Sequence, residues 1–181
     1  MLISPDNALL LVIDIQEKLL PAVCQPDQLV KQTRWLMEIA AIVKVPVLVS
    51  EQYPQGLGHT VAELASLVTP EQVMAKLHFS CAAEPSCTET IAQQQRKQIV
   101  ICGMEAHVCV LQTAIGLHLQ GFEVFVVEDL ITSRNETDKQ LAITRLQQLQ
   151  IQVVSREMVA FEWMQKSGTE SFKTISKNYL R

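Results

Sequence analysis

Apolar residues fall along this chain in short unbroken runs, separated by longer stretches in which they recur every three or four positions. Ala8 to Ile13 is the first such run. Polar residues and Pro21 follow it, which predicts a strand buried on both faces of a parallel sheet. From Asp27 to Val43 the residues Leu29, Leu36, Ile39, Ala40 and Val43 recur near helical spacing. A second strand is predicted over Val45 to Val49, and Gln52 to Thr60, with Pro54, Gly56 and Gly58, reads as a loop. A shorter helix then ends before Pro70, and Gln72 to Leu77 predicts a third strand. Gln98 to Cys102 and Phe122 to Val127 predict two more. Between them His107 to Leu119 places Val108, Leu111, Ile115 and Leu119 on one helical face, with Gly121 at its end. Asn135 to Leu149 is a further helix, capped by Ser133 or Asn135, and Ile151 to Ser155 is a last strand before terminal helical segments.

Strands that alternate with helices predict an α/β fold: a three-layer, doubly wound, mostly parallel sheet of six strands with helices on both faces, resembling a Rossmann arrangement. The 181 residues, 48% of them hydrophobic and 19% charged, suffice for one sizeable core. Without a repeat or linker, residues 1–181 read as a single domain. A net charge of −4 with scattered Lys and Arg leaves nothing to neutralise a phosphate backbone, so nucleic acid is not an expected partner. No apolar run approaches the roughly 20 residues that span a bilayer, and Met1 to Asn7 does not resemble a signal peptide. The expectation is a cytoplasmic protein with no membrane partner. Its five cysteines, Cys24, Cys81, Cys87, Cys102 and Cys109, read as thiols rather than as a disulfide framework.

In a doubly wound sheet ligands gather beyond the carboxyl ends of the strands, where the strand order reverses. Three chemically active positions fall there. Asp14 follows the first strand within an apolar run, where a carboxylate needs a cation or donor; alone, it equally suits a helix cap. Lys76 ends the third strand among Met74, Ala75, Leu77 and Phe79, and alone it suits a side chain snorkelling to water. Cys109 follows the Gly103 turn near the start of a helix, where the helix N-terminus and a neighbouring lysine would lower a thiol pKa. Backbone N–H groups of the same turn suit an oxyanion hole, while an isolated cysteine is otherwise an inert core residue.

Together, Leu11-Val12-Ile13-Asp14-Ile15-Gln16, Lys76-Leu77-His78-Phe79-Ser80 and Gly103-Met104-Glu105-Ala106-His107-Val108-Cys109-Val110 resemble the isochorismatase-like cysteine hydrolase superfamily. Ser50-Glu51-Gln52-Tyr53-Pro54 and Gly56-Leu57-Gly58-His59-Thr60 are similar to its isochorismatase domain-containing subgroup. The resemblance implies a triad in which Asp14 takes the thiol proton, Cys109 attacks a carbonyl carbon and Lys76 stabilises both by charge. It also implies a cis peptide at Met104–Glu105, with the N–H groups of Glu105 and Cys109 facing the oxyanion. Gln16, Tyr53, His78, Phe79 and Met104 are then candidate pocket-lining residues. A small amide, carbamoyl or related acyl substrate is expected; the alternatives are vinyl ether hydrolysis of the isochorismatase type, or a binding or assembly module on the same fold.

Nicotinamidases of this superfamily hold a metal through an Asp-x-His pair and a further His, where this chain has Glu51-Gln52-Tyr53 and His59. One histidine and one carboxylate fall short of that set, so no metal and no cofactor is expected. Asp14 to Leu20 contains no glycine, which excludes a dinucleotide fingerprint, and no Walker loop is present. His107 reads as lining or capping its turn, and His118 as a surface residue. The segment Glu170 to Leu180 puts Phe172, Ile175 and Tyr179 on one helical face, expected to dock on its own domain. The resemblance further implies a homo-oligomer, at least a dimer.

Overall fold

The computed structural model describes residues 1–180. Among these, six strands form one sheet: β1 (Ala8–Ile13), β2 (Val47–Gln52), β3 (Val73–Lys76), β4 (Gln98–Met104), β5 (Glu123–Thr132) and β6 (Gln152–Val154). They are accompanied by α1 (Pro26–Val43), α2 (Pro54–Leu57), α3 (Ala62–Ala65), α4 (Pro85–Gln93), α5 (Leu111–Leu119), α6 (Glu136–Gln148), α7 (Arg156–Met164) and α8 (Glu170–Tyr179). The strand order is β3-β2-β1-β4-β5-β6, and every neighbouring pair is parallel. The chain winds outward from β1 through β2 and β3, then returns to the other side of β1 as β4. The crevice beyond the carboxyl ends of β1 and β4 is therefore the switch point of the sheet.

Every residue of β1 is buried, as an unbroken apolar run between two helical layers requires. Alternate side chains enter opposite cores. Leu10 and Val12 join Leu36 and Ile39 of α1, Trp163 of α7 and Ile175 of α8. Leu9, Leu11 and Ile13 join Ile91 of α4, Leu117 of α5 and Leu146 of α6. The amphipathic C-terminal segment thus docks as α8 on its own chain.

Some boundaries differ from the sequence expectation for identifiable reasons. β2 runs to Gln52 instead of stopping at Val49, because Ser50, Glu51 and Gln52 are buried by hydrogen bonding rather than by apolarity. β5 continues five residues past Val127, to Thr132. Glu128 is exposed and Asp129 accepts from the Arg156 amide and guanidinium at 2.8 and 3.0 Å, so this polar pair does not end the strand. The helix α4 is unanticipated: in its polar sequence only Cys87 and Ile91 are buried, one turn apart. The stretch from Gln52 to Thr60 contains the single helical turn α2, and Asn135 rather than Ser133 caps α6, its Oδ1 accepting from the Thr137 amide. No helix among the described residues is long and apolar enough to cross a membrane.

Candidate active site

Asp14 leaves β1 with φ of 51°, a left-handed turn that a short polar side chain tolerates better than most. Its Oδ1 accepts from Ser50 Oγ at 2.6 Å and its Oδ2 from Lys76 Nζ at 2.7 Å. Both partners of this ion pair have fully buried side chains. Lys76, the last residue of β3, is carried inward by the strand alternation that also buries Met74. Its ammonium donates to three oxygens: Asp14 Oδ2, Gln52 Oε1 at 2.7 Å and the Phe79 carbonyl at 3.1 Å. Burial works against the Lys76 charge, but the Asp14 carboxylate, together with the nearby Cys109 and Cys81, outweighs it and holds the lysine above its ordinary pKa.

Cys109 arrives from β4 through a tight turn. Gly103 has φ of 118°, and a Cβ at this position would run into the backbone carbonyl of Ile13 in β1. Only glycine lets the two strands approach there. The Met104–Glu105 peptide is cis, and Ala106–Val110 then forms one wide π-helical turn before α5. Cys109 lies within this turn, 6% exposed, with its Sγ 4.0 Å from Gln52 Oε1. Burial, reinforced by the Asp14 carboxylate, pushes the thiol up to about 12 against the opposing pull of Lys76. This corrects the sequence expectation of a depressed thiol pKa: desolvation and a nearby anion outweigh the lysine.

Gln52 is the residue that sequence reasoning misses at this point. The sequence pattern puts it in a loop, yet it closes β2 and is 8% exposed. Gln16, fully buried, clamps its backbone: Gln52 N–H donates to Gln16 Oε1 at 2.7 Å and Gln16 Nε2 donates back to the Gln52 carbonyl at 3.0 Å. Gln52 Nε2 donates to the Leu77 carbonyl at 2.8 Å, which turns Oε1 toward Lys76 and Cys109. The sequence carries no apolar-run signal for Gln52, since Ser50 and Glu51 already separate it from Val49.

The turn carrying Glu105 is tied to the loop after β5. Arg134 donates to the Glu105 carboxylate from Nε at 3.0 Å, from a terminal guanidinium nitrogen at 2.7 Å and from its backbone N–H at 3.1 Å. This clamp holds the Glu105 carboxyl below the usual carboxylate range. His107 Nδ1 lies 2.9 Å from Ser133 Oγ, a second tie between the same segments. Met104 is fully buried in the core against β1. Tyr53 and Phe79 stand half exposed at the rim, and His78 is exposed with Nδ1 3.0 Å from Glu84 Oε2. A hollow of about 320 Å³ lies beside Lys76, walled by Tyr53, Pro54, Leu77 and Glu84.

Glu51 and His59 do not fit a metal site. Glu51 Oε1 accepts from the Thr60 amide at 2.7 Å and from Thr60 Oγ1 at 2.8 Å, and Oε2 lies 2.9 Å from His59 Nδ1. Both oxygens are thus engaged with protein donors, and among the described residues no third His, Cys, Asp or Glu joins them in a ligand group.

A doubly wound parallel sheet with a buried carboxylate–ammonium pair and a thiol gathered at its switch point defines a protein of the isochorismatase fold. The chain belongs to the isochorismatase family, and residues 8–158 match the isochorismatase domain. Isochorismatase domain-containing protein 2 of Danio rerio is 34% identical over 97% of this chain and 88% of its own length. Among solved structures, MAR1 ribonuclease from Caenorhabditis elegans superposes with a TM-score of 0.92 at 32% identity, covering 100% of this chain and 93% of that one. The YcaC gene product of Escherichia coli, described as an octameric hydrolase of unknown specificity, shares the fold with a TM-score of 0.92 at 24% identity, over 99% and 91% of the two chains.

Proposed function

We propose that this chain is a cysteine hydrolase acting on a small amide, carbamoyl or related acyl substrate, with Asp14, Lys76 and Cys109 as its reacting groups. The observation that carries this reading is the convergence of three side chains from distant parts of the sequence. The Asp14–Lys76 pair closes at 2.7 Å, and one oxygen, Gln52 Oε1, is shared between Lys76 Nζ at 2.7 Å and Cys109 Sγ at 4.0 Å.

A thiol this reluctant to ionise loses its proton as it attacks, not before. Asp14 takes that proton while sulfur bonds to the acyl carbon, and Lys76 balances the negative charge of the pocket throughout. The Glu105 and Cys109 N–H groups face the developing oxyanion. Collapse breaks the C–N bond, Asp14 returns its proton to the departing amine, and a thioester remains. Water deprotonated by Asp14 then releases the acid and restores the thiol.

The test is a panel of small amides, carbamoyl compounds and isochorismate, with an RNA included because of the ribonuclease relative, assayed with wild type and Cys109→Ala. Ammonia or acid release that the substitution abolishes supports the reading. Turnover that survives it refutes nucleophilic catalysis by this sulfur, and silence across the panel favours the binding-module alternative. A homo-oligomer working in the cytoplasm belongs to the same proposal.

A further inference from the structure

An ammonium group has three N–H donors, and all three of Lys76 are taken: by Asp14 Oδ2, Gln52 Oε1 and the Phe79 carbonyl. With all three donors engaged, Lys76 acts on Cys109 first by charge, and the hydrogen bond it offers the sulfur is weakened by competition from those oxygens. Gln52 faces the sulfur with an acceptor. Its amide cannot present Nε2 instead, because that nitrogen is held by the Leu77 carbonyl and its backbone is locked by Gln16. An acceptor stabilises S–H and repels S⁻.

We infer that Gln52 is a positioning residue that keeps resting Cys109 protonated, by occupying a Lys76 donor and turning a carbonyl oxygen toward the sulfur. The inference rests on Cys109 being the reacting thiol. The charged and titratable groups facing this sulfur are Asp14 at the end of β1 and Lys76 of β3, with Cys81 of the following turn close to Lys76 and Cys87 of α4 behind it. Replacing Gln52 leaves each of these residues in the chain and releases one Lys76 donor, which is the change the thiol then reports. An unreactive resting thiol is also protected from stray electrophiles, while a substrate that displaces Gln52 Oε1 from Lys76 frees a donor as the thiolate forms.

Alkylation of the full chain by iodoacetamide, followed at Cys109 by peptide mass spectrometry, tests this without any substrate. At a pH well below a thiol's pKa, lowering that pKa by one raises the thiolate fraction about tenfold. At about pH 8, Gln52→Met, which has no oxygen, is expected to alkylate Cys109 about tenfold faster than wild type, and Gln52→Glu about tenfold slower. Gln52→Leu serves as a second apolar variant should Gln52→Met fail to fold. Opposite displacements establish the inference. Rates that stay within about twofold of wild type, or that rise in both variants as loosened packing alone would cause, overturn it. The hydrolase reading stands or falls separately, on turnover by Cys109→Ala.

Discussion

The Asp14–Lys76 pair is held together by need on both sides. Neither side chain touches solvent, so each charge depends on the other. Removing one partner of a buried pair leaves an uncompensated charge at a cost of about 3–5 kcal/mol, whereas replacing both removes the desolvation penalty as well. Lys76→Met is expected to lower unfolding stability in urea by that amount, and Asp14→Asn with Lys76→Met by distinctly less; equal losses would mean the pair is not coupled. The Glu51–His59 contact behaves differently because His59 is open to water. Its ring is held above its ordinary pKa by the bond to Glu51 and by that charge, while burial of Glu51 is outweighed by its bonds from Thr60 and His59. The His59 contribution is complete below the ordinary histidine pKa and lost as pH rises through the raised one. The Glu51 contribution is complete above the ordinary carboxylate pKa and lost as pH falls through the depressed one. Exchange of the Thr60 amide, corrected for its intrinsic rate, is therefore expected to be slower at about pH 6 than at about pH 8, with the difference abolished in His59→Gln. Residue identity makes Asp14, Lys76 and Cys109 visible in the sequence, as reactive groups set among apolar neighbours. Gln52 is not visible there, because an amide acts only through the orientation that Leu77 and Gln16 impose on it.

At the scale of elements, the strands with continuous apolar runs are legible in the sequence and those completed by polar contacts are not. β1 and the start of β4 follow from composition alone, while the last half of β5 depends on Asp129 finding Arg156. The helix α4 buries too few apolar side chains to leave a periodic signal. The turn between β4 and α5 is located by Gly103, yet its shape depends on distant ties. Glu105 and Arg134 form the strongest of these, although the Arg134 side chain is 60% exposed. Because exposed ion pairs contribute little to stability, Arg134→Ala is expected to change unfolding free energy by less than about 1 kcal/mol. If the Glu105 amide serves the oxyanion, the same variant lowers kcat about tenfold with KM little changed, since the geometry it disturbs matters in the transition state. Gly103→Ala is expected to be worse on both counts: the new Cβ meets the Ile13 backbone, and left-handed strain of about 1–3 kcal/mol adds to that clash. A thermal melt and a steady-state assay on the two variants separate a local tie from a packing constraint.

Across the whole molecule the sheet separates two cores, and Cys109 lies in only one of them. Asp14, Lys76 and Cys109 meet at its carboxyl edge, and Cys109 packs in the core shared with α4, α5 and α6. The opposite core is closed by α1, α7 and α8, where Ile175 is fully buried, Phe172 and Tyr179 pack beside it, and Trp35 Nε1 donates to the Tyr179 carbonyl at 2.9 Å. The chain order makes this layering legible from the sequence, because parallel strands demand crossovers and those must cover both faces. Helix α8 should therefore matter to stability without mattering to chemistry. Ile175→Ala removes a core side chain at a cost of about 2–5 kcal/mol, which for a chain of this size lowers the melting temperature by roughly 5–15 °C. At a temperature where the variant is still folded, its rate of Cys109 alkylation and any turnover found with the substrate panel are expected to match wild type. A variant that melts early and also alters the thiol would show that the two cores are coupled through the β1 backbone, where Leu10 and Val12 face one layer while Leu11 and Ile13 face the other.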